Sequence, residues 1–332
     1  MMYVFLLGGL FLGWSFGRNN LSNVFGTAIG TRMVPFRLAA SLAGLFILMG
    51  ALFSSSETTE SMKALADISS VFGAFLISIS IALTILLASR FGIPVSIAQS
   101  SVGALVGWNI FFHVKNDWNT LTEMISAWFT CPLMAAVLAI FGFYGMRFLL
   151  KRIPIPLLYR DMWVRFLLIL SGVYSSYFLG ANNIPAIAGP YLNIETVSPY
   201  WIIFLIGLAI AVGALMADKR VIATVSSGLF PLSPMEALVV VCACGMTLYC
   251  FSAKGLEAML MSLNLPTFPL VPIPTSSVLV GSIIGVGLAK GHAGIHWQAL
   301  GRIFTSWFLV PIISGLICNV ILAILIQMGA NL

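Results

Sequence analysis

The chain has 332 residues, of which 60% are hydrophobic and only 8% are charged, and its formal net charge is +6. Soluble domains carry about a quarter charged residues, so this composition excludes a soluble globule and indicates that the lipid bilayer is the chain's solvent. The basic residues lie between apolar runs, where membrane topology accounts for them, and nucleic acid is therefore excluded as a partner.

Long apolar runs predict membrane-spanning helices along the chain. The first run, within residues 1–17, has no basic residue before it and no cleavage site, so it predicts a transmembrane segment rather than a removable signal peptide. Strands of a barrel would alternate polar and apolar residues, whereas most of the later runs reach the roughly 20 uninterrupted residues of a spanning helix. These runs cover 38–56, 68–89, 91–114, 124–146, 166–194, 196–217, 237–253, 258–289 and 303–332.

Two polar segments interrupt the apolar runs of the first half. They are GRNNLSN (17–23) and PVSIAQSSVGALVG (94–107). Non-helical backbone at membrane depth is tolerated only in protein or in a water-filled cavity, so we expect both segments to break helices and to line a binding site. Helix N-termini exposed at such breaks suit an anion. The alternative is that the small residues only let helices pack closely.

The second half repeats these segments in the same order. GRNNLSNVFGT (17–27) matches GANNIPAIAGP (180–190) at an offset of 163 residues, and PVSIAQSSVGALVG (94–107) matches PIPTSSVLVGSIIG (272–285) at 178. A tryptophan and proline block matches at 179. The chain is therefore predicted to be an internal duplication, with residues 1–147 as the first transmembrane repeat, 148–162 as a basic linker and 163–332 as the second repeat.

The distribution of Lys and Arg predicts the topology. Basic residues surround the central linker, and such clusters normally stay in the cytoplasm. An odd number of crossings in each half then inverts one repeat relative to the other. We therefore predict an all-α polytopic protein of the cell membrane, with two inverted-topology repeats, broken helices, re-entrant helical hairpins and a cytoplasmic linker. The basic residues of the cluster are Arg147, Lys151, Arg152, Arg160 and Arg165.

In these blocks the sequence resembles the inorganic phosphate transporter (PiT or Pho-4) family over nearly the whole chain. Halves of that family carry G-A-N-D-x-x-N-A-x-G-[TP], a T-E-T-like stretch, a G-x-P-V-S-[ST]-T-[HQ] segment and a W…W…P helix. The T-E-T-like stretch stands here as TTESMK (58–63) and VIATV (221–225). The resemblance implies a secondary transporter of phosphate that works by alternating access and is coupled to Na⁺ or H⁺.

The resemblance also implies that the ions bind between the two signature segments and the two hairpins. Beyond Na⁺ it implies no metal, and we expect no cofactor. The anion ligands nominated in this way are Arg18, Asn19, Asn20, Asn23, Ser96, Gln99, Asn182, Asn183, Thr275 and Ser276. The candidates for cation coupling are Thr59, Glu60, Ser61 and Thr224.

Five residues depart from the family pattern: Pro274 replaces a serine of the second hairpin, Ala186 replaces an Asn, and the other three change the charge of the site. Asn20 and Asn183 stand where the family has Asp, and Arg18 replaces the usual Ala. An amide is a weaker cation ligand than a carboxylate, whereas a guanidinium can pair bidentately with an oxyanion. Sulfate therefore remains an alternative to phosphate, because it has no proton to donate and needs only donors. An uncoupled anion channel is the other alternative.

No pattern in the chain indicates catalysis. The sequence has no GxxxxGK[ST] phosphate loop and no arrangement of a nucleophile with a base, so we expect a transporter rather than an enzyme. The five cysteines all lie in apolar runs and predict neither disulfides nor a zinc site. The expected partners are phosphate or sulfate and the lipid bilayer, and a homodimer is compatible with the sequence.

Overall fold

The computed structural model describes residues 2–54, 62, 65, 68, 70–152, 156–192 and 198–329. These residues form an all-α membrane fold. Its helices are α1 (Met2–Gly30), α2 (Phe36–Ser54), α3 (Val71–Arg90), α4 (Ile97–Phe111), α5 (Trp118–Arg152), α6 (Leu157–Ala188), α7 (Pro199–Leu215), α8 (Lys219–Ala223), α9 (Pro234–Cys250), α10 (Lys254–Ser262), α11 (Thr275–Ala289) and α12 (Trp297–Gln327). A 3₁₀ turn, Gly189–Tyr191, extends α6, and a π-helical turn, Thr224–Gly228, follows α8.

Membrane-spanning helices are present in the described part of the chain, although not at every predicted run: α1 is not among the spanning candidates, and α4 and α11 are too short. Within the described residues, α2, α3, α5, α6 and α12 are long and apolar enough to cross a membrane. Two bent pairs bring the number of spans among the described residues to at most seven, if each pair is counted as one span: α7 turns by 69° into α8 with its π-helical turn, and α9 turns by 68° into α10. The fold therefore contains the expected broken spans. The predicted linker is partly helical, since α5 continues to Arg152 and α6 begins at Leu157.

The two signature segments do not break their helices, contrary to our expectation for these positions. α1 continues through Gly17 and Asn20 to Gly30, and α6 continues through Gly180 to Ala188. The backbone can stay helical because the glycines serve close packing instead: a Cβ at Gly17 or at Gly180 would overlap a backbone carbonyl of a crossing helix. For these glycines the close-packing alternative is the correct one.

The halves are interlocked, and each contact is repeated with the halves exchanged. α2 packs on α6 as α7 packs on α1, and α11 packs on α5 as α4 packs on α12. Glycines make the same exchange at atomic level, because Gly103 abuts the carbonyl of Pro311 and Gly281 abuts that of Pro132. These pairs follow the offsets of the sequence repeat. The reciprocity is what a two-fold axis between inverted-topology repeats produces.

Each half contains a helical hairpin whose second helix is short. α4 and α11 have 15 residues each, or about 22 Å, which is less than the roughly 30 Å of the hydrocarbon core. Non-helical backbone precedes both: residues 93–96 before α4 and 264–274 before α11. The Ser96 hydroxyl caps α4 by accepting the N–H of Gln99 at 3.3 Å. Re-entrant hairpins are therefore present in both halves.

We predict that Gly281→Ala destabilises the fold, because the new Cβ would overlap the Pro132 carbonyl on α5. Overpacking of this kind costs about 1–3 kcal/mol. Gly145→Ala is the matched control, because a Cβ at this exposed position of α5 meets no atom within 4 Å. Thermal unfolding in detergent measures the difference. Equal unfolding temperatures for the two variants would contradict the close packing of α11 on α5.

Candidate anion site

Asn19 in α1 holds the extended segment that leads into α4. Its Oδ1 accepts the N–H of Val95 at 3.1 Å, and its Nδ2 donates to the Ser89 hydroxyl at 2.7 Å and to the carbonyl of Ile93 at 3.4 Å. Asn19 is fully buried. Its amide thus replaces the hydrogen bonds that the backbone gives up when it leaves the helix inside the membrane.

Asn182 in α6 makes the equivalent contacts in the second half. Its Oδ1 accepts the N–H of Ile273 at 2.7 Å, and its Nδ2 donates to the carbonyls of Phe251 and Val271 at 3.2 and 3.0 Å. We call Asn19 and Asn182 the clamp asparagines. Both amides are already engaged, mainly by backbone groups, so these two residues position the site rather than offering free donors to an anion.

The asparagines that follow the clamps in the chain bond to other side chains. Asn183 Nδ2 donates to the Thr275 hydroxyl at 3.0 Å, at the start of α11, and to Asn182 Oδ1 at 3.2 Å. Asn23 Nδ2 donates to Asn20 Oδ1 at 2.5 Å. Among the described residues, Asn23 Oδ1 and the Ser276 hydroxyl have no hydrogen-bond partner although both are buried. Such orphaned polar atoms are costly unless a ligand pairs with them.

Two helix N-termini bring further donors to the same region. α4 begins after Ser96 and α11 begins at Thr275, and the first N–H groups of a helix lack intrahelical partners. α1 contacts α11 and α4 contacts α6, with the Ser101 hydroxyl donating to the Ala186 carbonyl at 3.2 Å. These contacts connect the signature helices with the short helices of the opposite halves, and we call the buried polar residues next to the clamps the cradle. It consists of Asn20, Asn23, Ser96, Gln99, Asn183, Thr275 and Ser276.

The cradle is occluded and carries no charged side chain. Each of its side chains is at most 2% exposed. Of the buried polar and charged residues that the structure describes, only Glu236 is charged, and it pairs with Lys290 at 2.8 Å at the N-terminus of α9. Positive potential in the cradle comes instead from the two helix N-termini, which suits an oxyanion.

Arg18 does not join the cradle. Its guanidinium lies 4.9 Å above the ring of Trp14 and 3.8 Å from the Asp218 carboxylate, and its side chain is 29% exposed. Successive residues of a helix point about 100° apart, so a site around Asn19 and Asn20 does not bring in their neighbour Arg18. In the structure Arg18 therefore contacts Asp218 and Trp14 rather than the cradle, where the sequence had led us to expect it.

Thr224 also lies away from the cradle, in the π-helical turn. Its hydroxyl donates to the Gly92 carbonyl at 2.8 Å, and Arg220 Nη1 donates to the Arg90 carbonyl at 3.0 Å. Gly92 has a φ of +68°, which explains the glycine at this hairpin turn. Residues 219–228 thus form a strap over the hairpin of the other half. The remaining candidates for cation coupling, Thr59, Glu60 and Ser61, lie outside the described residues.

Sequence reasoning missed both the strap and the separate role of the clamps. The repeat itself held the signal for the clamps, because Asn19 and Asn182 are related by the offset of 163 residues and so are Asn20 and Asn183. Nothing in the sequence indicated which asparagine of each pair bonds backbone. The sequence did not predict the strap, because the hydrogen bonds that form it join residues about 130 positions apart.

The family model described as the phosphate transporter family matches residues 16–318 of the chain. The chain belongs to the phosphate transporter family. It is accordingly a transporter and not an enzyme, and it is a multi-pass membrane protein. The match spans both signature segments, both hairpins and most of α12.

Individual relatives agree with this assignment to the phosphate transporter family. A protein of Methanocaldococcus jannaschii named "Putative phosphate permease" is 27% identical over 315 residues, which cover 94% of each chain. The sodium-dependent phosphate transporter 2 of Felis catus is 26% identical over 171 residues, covering 48% of this chain and 24% of its own length. A solved structure titled "The sodium-dependent phosphate transporter" has a TM-score of 0.78 at 21% identity, covering 98% of this chain and 99% of its own, so the two share a fold.

We predict that Asn182→Leu destabilises the protein, because it leaves the Ile273 N–H and the Phe251 and Val271 carbonyls without the partner they now have. Each unpaired buried group costs about 1–3 kcal/mol. The measurements are the yield of monodisperse protein and its unfolding temperature. Asn119→Leu, at an exposed asparagine of α5, is the control. A wild-type unfolding temperature for Asn182→Leu would contradict the clamp.

Arg18→Ala is expected to leave the ratio of phosphate to sulfate affinities unchanged within about twofold, because the guanidinium is held by Asp218 and Trp14 outside the cradle. Asp218→Asn serves as the control, since it removes the charge that pairs with Arg18 while every residue of α1 stays unchanged. Competition binding of the two anions to purified protein gives the ratio. A clear fall in affinity for only one of the two anions would contradict this and indicate that Arg18 contributes to the anion site.

Proposed function

We propose that this protein carries phosphate across the cell membrane by alternating access, with its central linker in the cytoplasm. What supports this best is the buried cradle, which combines polar side chains of both repeats with two helix N-termini and orphaned side-chain atoms. An occluded site between interlocked halves suits a carrier, because one rocking motion can expose the site to either side in turn. A channel would need an open path through these side chains, each at most 2% exposed.

Phosphate suits the cradle because the site offers acceptors as well as donors. The oxygen of Asn23 has no partner among the described residues, and a protonated phosphate can donate to it. Sulfate has no proton at neutral pH and would leave this oxygen unpaired, which costs about 1–3 kcal/mol. Sulfate transport by the same fold is the alternative, supported by the lack of a buried carboxylate in the described part of the cradle.

Charge balance supports coupling to a cation. Burying an uncompensated anion in a neutral, occluded site is costly, and a co-bound Na⁺ or proton reduces the net charge that crosses. Amide and hydroxyl oxygens of the cradle are hard ligands that suit Na⁺. Thr59, Glu60, Ser61 and Thr224 remain the sequence-based candidates for the coupling cation, with Thr224 now engaged by the Gly92 carbonyl.

The cradle is tested by phosphate uptake into proteoliposomes. We expect Asn183→Leu and Asn20→Leu to weaken phosphate affinity by about tenfold to hundredfold, the loss of one or two hydrogen bonds to a charged ligand. Asn119→Leu is again the exposed control. The variants should remain monodisperse, which separates this result from the misfolding expected of Asn182→Leu. Wild-type uptake by both variants would contradict the cradle.

The same assay separates the candidate functions. Saturable uptake that depends on a Na⁺ or proton gradient supports a coupled carrier, whereas non-saturating currents without a cation would establish a channel. Competition by sulfate at equal concentration tests the second anion. Asn183→Asp adds an ionised group to the cradle and is expected to raise the apparent Na⁺ affinity, since a carboxylate binds Na⁺ better than an amide. An unchanged Na⁺ dependence would place the cation elsewhere.

A further inference from the structure

A groove of about 680 Å³ lies between α3 and α12, on the outside of the helix bundle. Its walls are mainly apolar, and several of them are open to the bilayer: Leu87, Phe91 and Leu309 are 45%, 75% and 48% exposed. In a membrane protein such a surface faces lipid tails rather than water. Its shape is a concave slot along two helices, unlike the convex lipid-facing surface of a single helix.

The threonine hydroxyl groups that line the groove already donate hydrogen bonds within their own helices, so they do not require a polar ligand. Thr84 donates to the Ser80 carbonyl at 2.8 Å, and Thr305 donates to the Gly301 carbonyl at 2.9 Å. Both bonds stay within one helix, one turn back along the chain. The side chains therefore present methyl groups to the groove, whose interior matches an acyl chain better than a sugar or a free ion.

A single charged residue lines the groove. Arg302 lies in the first turns of α12, it is exposed, and it forms no ion pair within the described ranges. Arg90 ends α3 and Lys290 precedes α12, and the Lys and Arg distribution therefore predicts that this end of both helices faces the cytoplasm. Basic pockets between transmembrane helices on that side bind anionic lipid head groups. At the position related to Arg302 by the offset of 179 residues, the other half has Glu123, so the basic groove is particular to one half.

We propose that this groove binds an anionic phospholipid, with an acyl chain between α3 and α12 and the head-group phosphate on Arg302. Charge complementarity and the apolar lining together select this occupant. A zwitterionic lipid would gain less from Arg302, and inorganic phosphate would gain nothing from the apolar walls.

The groove also borders the extended segment that Asn19 holds before α4. Ile93 lines it, and the Ile93 carbonyl accepts the amide of Asn19 at 3.4 Å. A bound lipid would therefore press on the extended segment that the clamp holds before α4. This consequence rests on the proposed transport function, whereas the binding of the lipid does not.

The test is native mass spectrometry of the full chain released from nanodiscs that contain equal amounts of phosphatidylglycerol and phosphatidylcholine. The wild-type protein is expected to retain phosphatidylglycerol preferentially. Arg302→Ala should lower that preference by about fivefold, the effect of one basic contact. Arg165→Ala, at an exposed basic residue of α6 that does not line the groove, should keep it.

A second pair of variants tests the groove itself. Gly301 lines the groove, and a Cβ there meets no atom within 4 Å, so Gly301→Phe can fill the space without disturbing the fold. It should lose both lipids, whereas Gly145→Phe, equally unobstructed on α5, should lose neither. The proposal is overturned if Arg302→Ala retains the wild-type preference, or if Gly301→Phe retains the lipid. A dimer that Gly301→Phe dissociates, with no lipid retained by the wild type, would assign the groove to a second copy of the chain.

Transport is measured separately, in vesicles with and without phosphatidylglycerol. Uptake that responds to the lipid in the wild type but not in Gly301→Phe links the groove to the hairpin. Should the chain retain the lipid and yet transport no phosphate in any vesicle, the proposed function fails and the lipid site stands. Should it transport phosphate without retaining the lipid, the lipid site fails alone.

Discussion

Backbone that leaves the helix inside a bilayer must find hydrogen-bond partners within the protein, and this requirement shapes the centre of the molecule. Asn19 and Asn182 meet it with one amide each, which accepts one backbone N–H and donates to backbone carbonyls or a hydroxyl of the hairpin. Each clamp makes the following short helix start at membrane depth. The two helix N-termini of the cradle exist only because these amides keep the preceding segments extended.

The clamps act across elements of one half, whereas the packing of the short helices joins the halves. α4 lies on α12 and α11 lies on α5, with glycine backbone against the carbonyl of a proline in both cases. Contacts this close leave little room for sliding, so each hairpin is expected to move with the long helix of the other half. The strap adds a further bond between halves, from Thr224 to Gly92. A rocking motion would have to release bonds of this kind rather than the glycine contacts.

The electrostatic character of the cradle follows from the same geometry. Helix N-termini supply partial positive charge without any basic side chain, so an anion can bind and leave without breaking a full ion pair. Asn20 and Asn183 keep the described cradle neutral, and the cost of burying an anion there is the basis of the proposed coupling to a cation. Arg18 and Glu236 do not alter this balance, because each is engaged by an opposite charge at the edge of the bundle.

Composition and the internal repeat were enough to predict an all-α membrane fold with a duplicated architecture, because the bilayer penalises every polar residue within a span and those that remain stand out. The polar residues from which the cradle is defined were nominated by the resemblance to the phosphate transporter family. Only the tertiary structure decided that α1 and α6 stay unbroken, that Asn19 and Asn182 bind backbone, and that Arg18 pairs with Asp218. The physical reason is that an amide or guanidinium has the same bonding capacity wherever it lies in the chain, while its partner is chosen by contacts between residues about 70 to 200 positions apart.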